Sequence, residues 1–151
     1  MENVNYQVAE IELSYRPKFK PAERPQIDCS AKAYQVLMGS WSLDKIELVE
    51  EFKIILLNRG NRVLGIVNIS QGGMSGTVAD PKIIFAIALK ACANGIILSH
   101  NHPSGESRPS DADIKLTQKL SEAGKLLDIK VFDHIIVCTD RYFSFLDGEM
   151  L

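Results

Sequence analysis

Two histidines and an aspartate lie close together in the stretch SHNHPSGESRPSDAD, residues 99–113. His100 and His102 are two residues apart, and Asp113 follows His102 after ten intervening residues. The apolar run before the histidines predicts a strand, in which residues i and i+2 point to the same face, so both imidazoles should converge on one point. Two imidazoles and one carboxylate form a zinc ligand set that leaves the fourth tetrahedral position for water, as in catalytic sites.

The same residues allow a purely structural interpretation. Ser110-x-x-Asp113 is a common helix start, with serine as the N-cap and an acid near the positive end of the helix dipole. Histidines are, on their own, more often ordinary surface or core residues. Their occurrence together at a strand end that faces a helix start favours the metal site, because open α/β sheets bind ligands there. The two histidines, Ser110 and Asp113 do not include a residue that could act as the general base.

Other metal-dependent chemistries lack their motifs in this chain. The string His-Asn-His does not indicate an HNH nuclease, whose namesake residues are dispersed over a ββα-metal unit. Zinc deaminases have a similar layered fold, but their H-x-E…P-C-x-x-C pattern has no counterpart in the sequence. A H-E-x-x-H helix is absent as well.

The segments around the motif predict five strands. FKIILLN, 52–58, is an unbroken apolar run that suits a strand buried on both faces, and RVLGIVNIS, 62–70, should pair with it as a hairpin through the turn NRGNR. GIILSH at 95–100, DIKVFDHIIVCTD at 128–140 and RYFSF at 141–145 predict the other three. The sequence does not indicate the strand order.

Three helices are expected between these strands and before them. Ser30 reads as the N-cap of a short helix. Asp80 should cap an apolar, buried helix that ends at Gly95, and Ser110 should begin a helix that ends near Gly124. The hairpin needs an antiparallel pair and the helical crossovers favour parallel neighbours, so the fold class is α/β, a three-layer single domain with a mixed β-sheet flanked by helices.

The motif and its flanks resemble a known family. His100-x-His102, seven residues, Ser110, two residues and Asp113 match the JAMM (MPN+) metalloprotease motif H-x-H-x7-S-x2-D without a gap. The segment from KACANGIILSHNHPSGESRPSDAD to LDIKVFDHIIV resembles the RadC-like JAB domain of bacteria. The resemblance covers residues 45–150 and implies a JAB/MPN architecture, which is similar to that of cytidine deaminases.

The resemblance also implies a reaction. His100, His102 and Asp113 would bind Zn²⁺, and a zinc-bound water would hydrolyse an amide bond, so the chain would be a metallopeptidase or isopeptidase. Ser110 would hydrogen-bond the developing oxyanion. Whether its hydroxyl can do so while it also caps the helix is left open by the sequence.

The base implied by the resemblance is a glutamate in an E-x-F segment that opens the first core strand. Here that segment is Glu50-Glu51-Phe52, which assigns the role to Glu50. Glu51 is the alternative, because a one-residue change of register would exchange the faces that the two side chains present. Without the resemblance, both would read as solvated charges at a strand entry.

His134, the third histidine, and its neighbour Asp133 lie in the last long strand segment. Strand alternation predicts that they point to opposite faces, so at most one should face the site. Both are expected to be structural and are left out of the predicted site.

The first 28 residues predict an extended N-terminal arm, 1–28, followed by the JAB domain, 29–151. Prolines at 17, 21 and 25 break both helix and central strand. Residues 13–25 are basic, with interleaved aromatics, a pattern that can lie along a phosphate backbone, although a solvated tether is the more frequent outcome. The basic residues are Arg16, Lys18, Lys20 and Arg24, and the aromatics are Tyr15 and Phe19.

The alternative function is a non-catalytic, metal-binding scaffold associated with DNA repair or mobile-element DNA, as the RadC label implies. The helix-hairpin-helix region that often precedes the JAB domain in RadC proteins has no counterpart in this sequence, so only the basic arm favours DNA. Every residue of the JAMM motif is present, which favours an enzyme.

The composition of the chain limits the number of domains and the kinds of partner that can be expected. The 151 residues suit one domain, and 46% apolar with 24% charged residues is ordinary for a folded chain. A net charge of −2 gives no broad positive field for nucleic acid. The three cysteines form no C-x-x-C, and no apolar run could span a membrane, so we expect a cytoplasmic protein. Neither the substrate nor the oligomeric state is indicated.

Overall fold

A computed structural model describes residues 7–12, 14, 16–72 and 78–151 of the chain. Tyr15 of the predicted arm lies outside the described residues. In these ranges a short 3-10 helix, Pro21–Glu23, precedes three α-helices and five strands. In chain order they are α1 Ser30–Met38, β1 Glu51–Leu57, β2 Val63–Gln71, α2 Pro81–Lys90, β3 Gly95–Asn101, α3 Asp111–Leu126, β4 Lys130–Val137 and β5 Tyr142–Ser144.

The five strands form one mixed sheet in the order β2-β1-β3-β4-β5. The predicted hairpin of β1 and β2 is confirmed as an antiparallel pair, and β1 is also antiparallel to β3. β3 and β4, joined by α3, are the parallel pair that a helical crossover favours. Every residue of β1 and β3 is buried, so these two central strands are covered on both faces.

Helices cover both faces of the sheet, which confirms the three-layer α/β fold. Residues of α1 pack on one face, in a cluster with Ile55, Ile97 and Ile135 of the strands. Residues of α2 and α3 pack on the other, in a cluster with Ile54 and Leu98. Odd and even positions of one strand thus belong to different hydrophobic layers, as the two-residue period of a strand requires.

α2 begins as predicted but ends earlier. The Asp80 side chain accepts a hydrogen bond from the Lys82 backbone N–H, but the helix ends at Lys90 and Gly95 opens β3 instead. A Cβ at Gly95 would lie 2.1 Å from the Phe132 ring, so glycine is needed for the close approach of β4 rather than for a helix stop. The predicted burial holds for one face of the helix, with Ile84, Phe85 and Ala88 in the core, whereas Leu89 is 50% exposed.

The other two helix starts differ from each other. Ser110 is the N-cap of α3, as predicted, and the helix passes the buried Gly124 to end at Leu126. For α1 the prediction was wrong, because Cys29 is the N-cap and makes no side-chain capping bond. The Ser30 hydroxyl instead contacts the Tyr142 hydroxyl and the Asp147 carboxylate, partners distant in sequence.

The chain joins the sheet before α1. Gln26 forms an isolated bridge with Arg62, the Val63 N–H donates to the Pro25 carbonyl at 2.9 Å, and Ile27 is buried. Residues 25–27 are therefore held against the start of β2. Among the described residues, no helix has the length and apolar character needed to cross a membrane.

Candidate metal centre

The two histidines of the motif meet at the end of β3. His100 is the sixth residue of this strand and His102 follows its last residue. Their Nε2 atoms lie 3.0 Å apart, so the imidazoles converge as the strand period predicts. His100 is 2% exposed, and His102 is partly exposed. The pair is thus open to solvent only on the side of His102.

Asp113 brings a carboxylate to the same point from the first turn of α3. Its Oδ1 lies 3.2 Å from His100 Nε2 and its Oδ2 lies 3.4 Å from His102 Nε2. Burial alone would raise the pKa of the Asp113 carboxyl, but the two neighbouring imidazoles outweigh burial and hold this pKa well below its usual range. The side chain is therefore an anion that faces both histidines.

Ser110 and Asp113 form a reciprocal capping box. The Ser110 hydroxyl oxygen accepts the Asp113 backbone N–H at 3.1 Å, and Asp113 Oδ2 accepts the Ser110 backbone N–H at 2.8 Å. The cap uses a lone pair of the hydroxyl and leaves its proton free. Helix capping and donation to a substrate oxygen are therefore compatible in Ser110, which the sequence left open.

The two glutamates point to different surroundings. Glu50 precedes β1, its side chain is 15% exposed, and its Oε1 lies 3.9 Å from His100 Nε2. The carboxylate of Glu51 is buried and its Oε2 lies 3.5 Å from Lys53 Nζ. Lys53 in turn lies over the Trp41 ring, on the α1 face of the sheet. Of the two carboxylates, only that of Glu50 faces the histidines.

These donors suit a divalent metal ion. One ligand atom each of Glu50, His100 and His102 lies within 4.8 Å of the others, and both oxygens of Asp113 contact the same two imidazoles. His102 Nδ1 lies 2.6 Å from the Glu106 carbonyl oxygen, which can only accept, so Nδ1 carries a proton and, in the neutral ring, Nε2 has the lone pair that could bind a metal ion. The Asp113 carboxylate raises the pKa of His102, because an anion beside the ring favours its protonated form.

His134 was left outside the predicted site, but it contacts a site residue. Its Nε2 lies 2.7 Å from His100 Nδ1, and its Nδ1 lies 2.6 Å from the Thr117 hydroxyl. Asp133 points to the opposite face, as alternation predicts, and its carboxylate accepts from the Ser144 hydroxyl at 2.6 Å. The one sequence signal for His134 is a polar residue in an apolar strand; its contact with His100 requires knowing that β3 and β4 pair.

Asn101, between the two histidines, binds backbone on the other face of β3. Its amide nitrogen donates to the Ile46 and Val49 carbonyls at 2.7 and 2.9 Å, and its oxygen accepts the Glu51 N–H at 2.7 Å. Asn101 therefore fixes the backbone on both sides of Glu50. The strand period predicts that this side chain points away from the two imidazoles, but it does not predict its partners.

Comparison with known proteins identifies the family. A model described as the RadC-like JAB domain matches residues 27–150. The UPF0758 protein of Flavobacterium johnsoniae is 45% identical over 98 residues, 65% of this chain and 43% of the relative. That of Porphyromonas gingivalis is 40% identical over 146 residues, 95% of this chain and 63% of the relative.

A third relative, the UPF0758 protein of Desulfitobacterium hafniense, is 37% identical over 132 residues, which is 87% of this chain. This chain spans 43%, 63% and 56% of the length of the three relatives. The family match includes all of β1–β5 and the Glu/His/His cluster, in agreement with the motif in the sequence. The chain belongs to the family of RadC-like JAB domains.

Proposed function

We propose that this domain is a zinc-dependent hydrolase of the JAMM type that cleaves a peptide or isopeptide bond. The observation that carries the proposal is the convergence of His100 Nε2, His102 Nε2 and both oxygens of Asp113 within 3.0–3.4 Å, with the Glu50 carboxylate beside them. Two neutral imidazoles and one carboxylate are ligands that zinc prefers, and they leave one coordination position free.

His100, His102 and Asp113 would hold the zinc ion, which would supply Lewis-acid chemistry that activates water at neutral pH. Glu50 takes a proton from the attacking water and returns it to the leaving amine, so it acts as a general base and then as a general acid. Ser110 donates its free hydroxyl proton to the developing oxyanion while its oxygen continues to cap α3.

Glu50 is the better candidate for the base for a geometric reason. A general base must reach the reacting water, and Glu50 Oε1 lies 3.9 Å from Nε2 of the proposed ligand His100, at a partly exposed position. The Glu51 carboxylate is engaged by Lys53 under the α1 layer. We therefore assign the proton transfer to Glu50.

Two measurements on the full chain test this proposal. Protein purified without chelators should contain about one zinc per chain, and it should cleave members of a peptide and isopeptide library. Glu50→Gln should keep the zinc and abolish cleavage, because the carboxamide cannot take a proton. Glu51→Gln is the matched control and should remain active. Zinc-free, well-folded wild-type protein would contradict the metal site, and an active Glu50→Gln variant would contradict the assigned base.

A second candidate, a scaffold that contacts nucleic acid, has one supporting observation. A surface cleft lined by Arg16, Lys18 and Arg24 brings three cations of the basic arm together beside Val63 and Leu64 of β2. Cations gathered in this way can neutralise neighbouring phosphates. Salt-dependent DNA binding that is unchanged in Glu50→Gln but lost when Arg16 and Lys18 are replaced by Ala would support it. Absence of DNA binding at low salt would exclude it.

A further inference from the structure

We infer that His134, held by Thr117, is a positioning residue that fixes the tautomer of His100, so that the lone pair of His100 Nε2 faces the metal. The inference rests on the proposed zinc site and goes beyond it, because it assigns a role to two residues outside the JAMM motif. The contacts form a chain between two ligands, from the Asp113 backbone through Thr117 and His134 to the His100 ring.

The first link is the Thr117 hydroxyl. Its oxygen lies 2.7 Å from the Asp113 carbonyl oxygen and 2.6 Å from His134 Nδ1. A hydroxyl has one proton and a carbonyl oxygen can only accept. Both contacts are therefore hydrogen bonds in only one arrangement, in which Thr117 donates to Asp113 and accepts from His134. The proton of His134 is then on Nδ1.

The second link is the His134 ring, which is enclosed by protein. His134 is 0% exposed, stacks on Phe145 with ring centroids 4.8 Å apart, and makes a T-shaped contact with Phe52, with ring centroids 5.7 Å apart. A cation enclosed in this way by aromatic rings would be costly to desolvate, so the site holds the ring in its neutral form. The ring is neutral, so with its one proton on Nδ1, Nε2 is an acceptor.

The third link is the 2.7 Å contact between His134 Nε2 and His100 Nδ1. Because His134 Nε2 accepts, His100 Nδ1 donates, and in the neutral His100 ring the remaining nitrogen, Nε2, has a lone pair. That nitrogen is the atom 3.0 Å from His102 Nε2 and 3.2 Å from Asp113 Oδ1. Hydrogen bonding at the distal nitrogen is the usual way in which a protein orients a metal-binding imidazole.

The two imidazoles are oriented by different partners. His102 Nδ1 donates to the Glu106 carbonyl, in the partly exposed loop before α3. His100 depends instead on side chains that are buried, since Thr117 is 1% exposed and His134 is 0% exposed. The relay can therefore be altered at Thr117, a residue that contacts neither imidazole of the motif in the described hydrogen bonds.

The experiment compares Thr117→Val with Thr117→Ser in the full chain. Valine has nearly the shape of threonine but lacks the hydroxyl, so His134 can carry its proton on either nitrogen and His100 loses its fixed tautomer. We expect Thr117→Val to weaken zinc binding about 10- to 100-fold in competition with a chromogenic chelator. Thr117→Ser keeps the hydroxyl and should stay within about threefold of wild type. Equal affinities for the two variants would overturn the inference.

A second measurement does not need zinc. Nitrogen-15 NMR of the metal-free protein at mildly alkaline pH reports which imidazole nitrogen carries the proton. We expect His100 to be protonated on Nδ1 in wild type and in Thr117→Ser, and to populate both tautomers in Thr117→Val. A His100 ring protonated on Nε2 in wild type would overturn the inference, whether or not zinc binds.

Two further variants separate positioning from simple packing. In His134→Gln the carboxamide oxygen can still accept the His100 Nδ1 proton, whereas His134→Leu offers no acceptor. We expect Gln to retain most of the zinc affinity that Leu loses, and equal losses in both would count against a positioning role. If wild type shows the predicted His100 tautomer but binds no zinc, the proposed hydrolase fails while the hydrogen-bonded relay stands.

Discussion

Asp113 combines helix capping with its proposed role as a metal ligand. Its carboxylate accepts the Ser110 N–H at the start of α3 and also faces both imidazoles. A carboxylate can serve both functions because its two oxygens offer several lone pairs. The capping interpretation of Ser110-x-x-Asp113 is confirmed, and the same carboxylate is placed where the proposed zinc ion would need a ligand.

Two variants of Asp113 should separate its roles. Asp113→Asn keeps an oxygen that can accept the Ser110 N–H, whereas Asp113→Ala removes it. Both should lose zinc, because the anionic ligand is gone. In the metal-free state we expect Asp113→Ala to be less stable than Asp113→Asn by about 1 kcal/mol, the usual value of a cap. Denaturant unfolding measures the difference, and zinc retained by Asp113→Ala would contradict its assignment as a ligand.

What the sequence can predict at the residue scale depends on distance along the chain. His100, His102, Ser110 and Asp113 lie within 14 residues of one another, so strand period and helix capping suffice to bring them together. His134 is 34 residues from His100, and their contact depends on which strands are neighbours. No local pattern contains that information.

At the scale of elements, the segment before β1 is held by β3 through Asn101. The Asn101 amide nitrogen donates to the Ile46 and Val49 carbonyls, and its oxygen accepts the Glu51 N–H. All three backbone groups therefore depend on one buried side chain. Glu50 lies between two of these anchored residues. The position of the proposed base is therefore fixed by the residue that separates the two histidines.

Asn101→Ala should destabilise the fold more than a comparable loss on the same strand face. It leaves two carbonyls and one N–H without their partner, and each such buried group costs about 1–3 kcal/mol, so we expect a loss of about 3 kcal/mol in the free energy of unfolding. Ser99→Ala is the control, since Ser99 is equally buried and makes one hydrogen bond, to the Lys53 carbonyl at 3.0 Å. A similar loss of unfolding free energy in both variants would show that the Asn101 hydrogen bonds do not hold the segment before β1.

Element types were predictable because each has a strong local pattern, but some element ends were not. Asp80 and Ser110 cap their helices as expected, since their side chains reach backbone N–H groups nearby. Ser30 does not, because Tyr142 and Asp147 compete for its hydroxyl. Gly95 was mistaken for a helix stop because its real constraint, the Phe132 ring, comes from β4. Each error is a tertiary contact that replaces a local preference.

At the scale of the whole molecule, the sheet topology assembles the site. β1 and β3 are antiparallel neighbours and Phe52 pairs with His100, so the start of β1 and the end of β3 meet at one edge of the sheet. This brings Glu50 to residues about fifty positions later in the chain. The parallel pairing of β3 with β4 then places His134 beneath His100, on the face covered by α3. Strand order, which the sequence did not indicate, decides both contacts.

The buried His134 should make the stability of the metal-free protein depend on pH. Burial lowers its pKa in the folded state well below the ordinary value of 6.5, so below that pH the unfolded chain binds a proton that the folded chain does not. Stability is then lost as pH falls, by up to about 1.4 kcal/mol per pH unit. His102 acts in the opposite direction, because Asp113 raises its pKa and the resulting stability is present in acid and lost as pH rises.

His134→Gln isolates the first of these contributions. The variant keeps an acceptor for His100 and keeps His100, Asp113 and His102, the ionisable groups that act on the ring, but cannot titrate at this position. We expect the wild type to lose more stability than His134→Gln between pH 7 and pH 5, with a difference of about 2 kcal/mol at the acid end. Denaturant unfolding of both metal-free proteins at the two pH values gives this difference directly. If the stability of the two proteins changed with pH in the same way, His134 would take up a proton in the folded protein. That result would contradict the neutral ring that the relay to His100 requires.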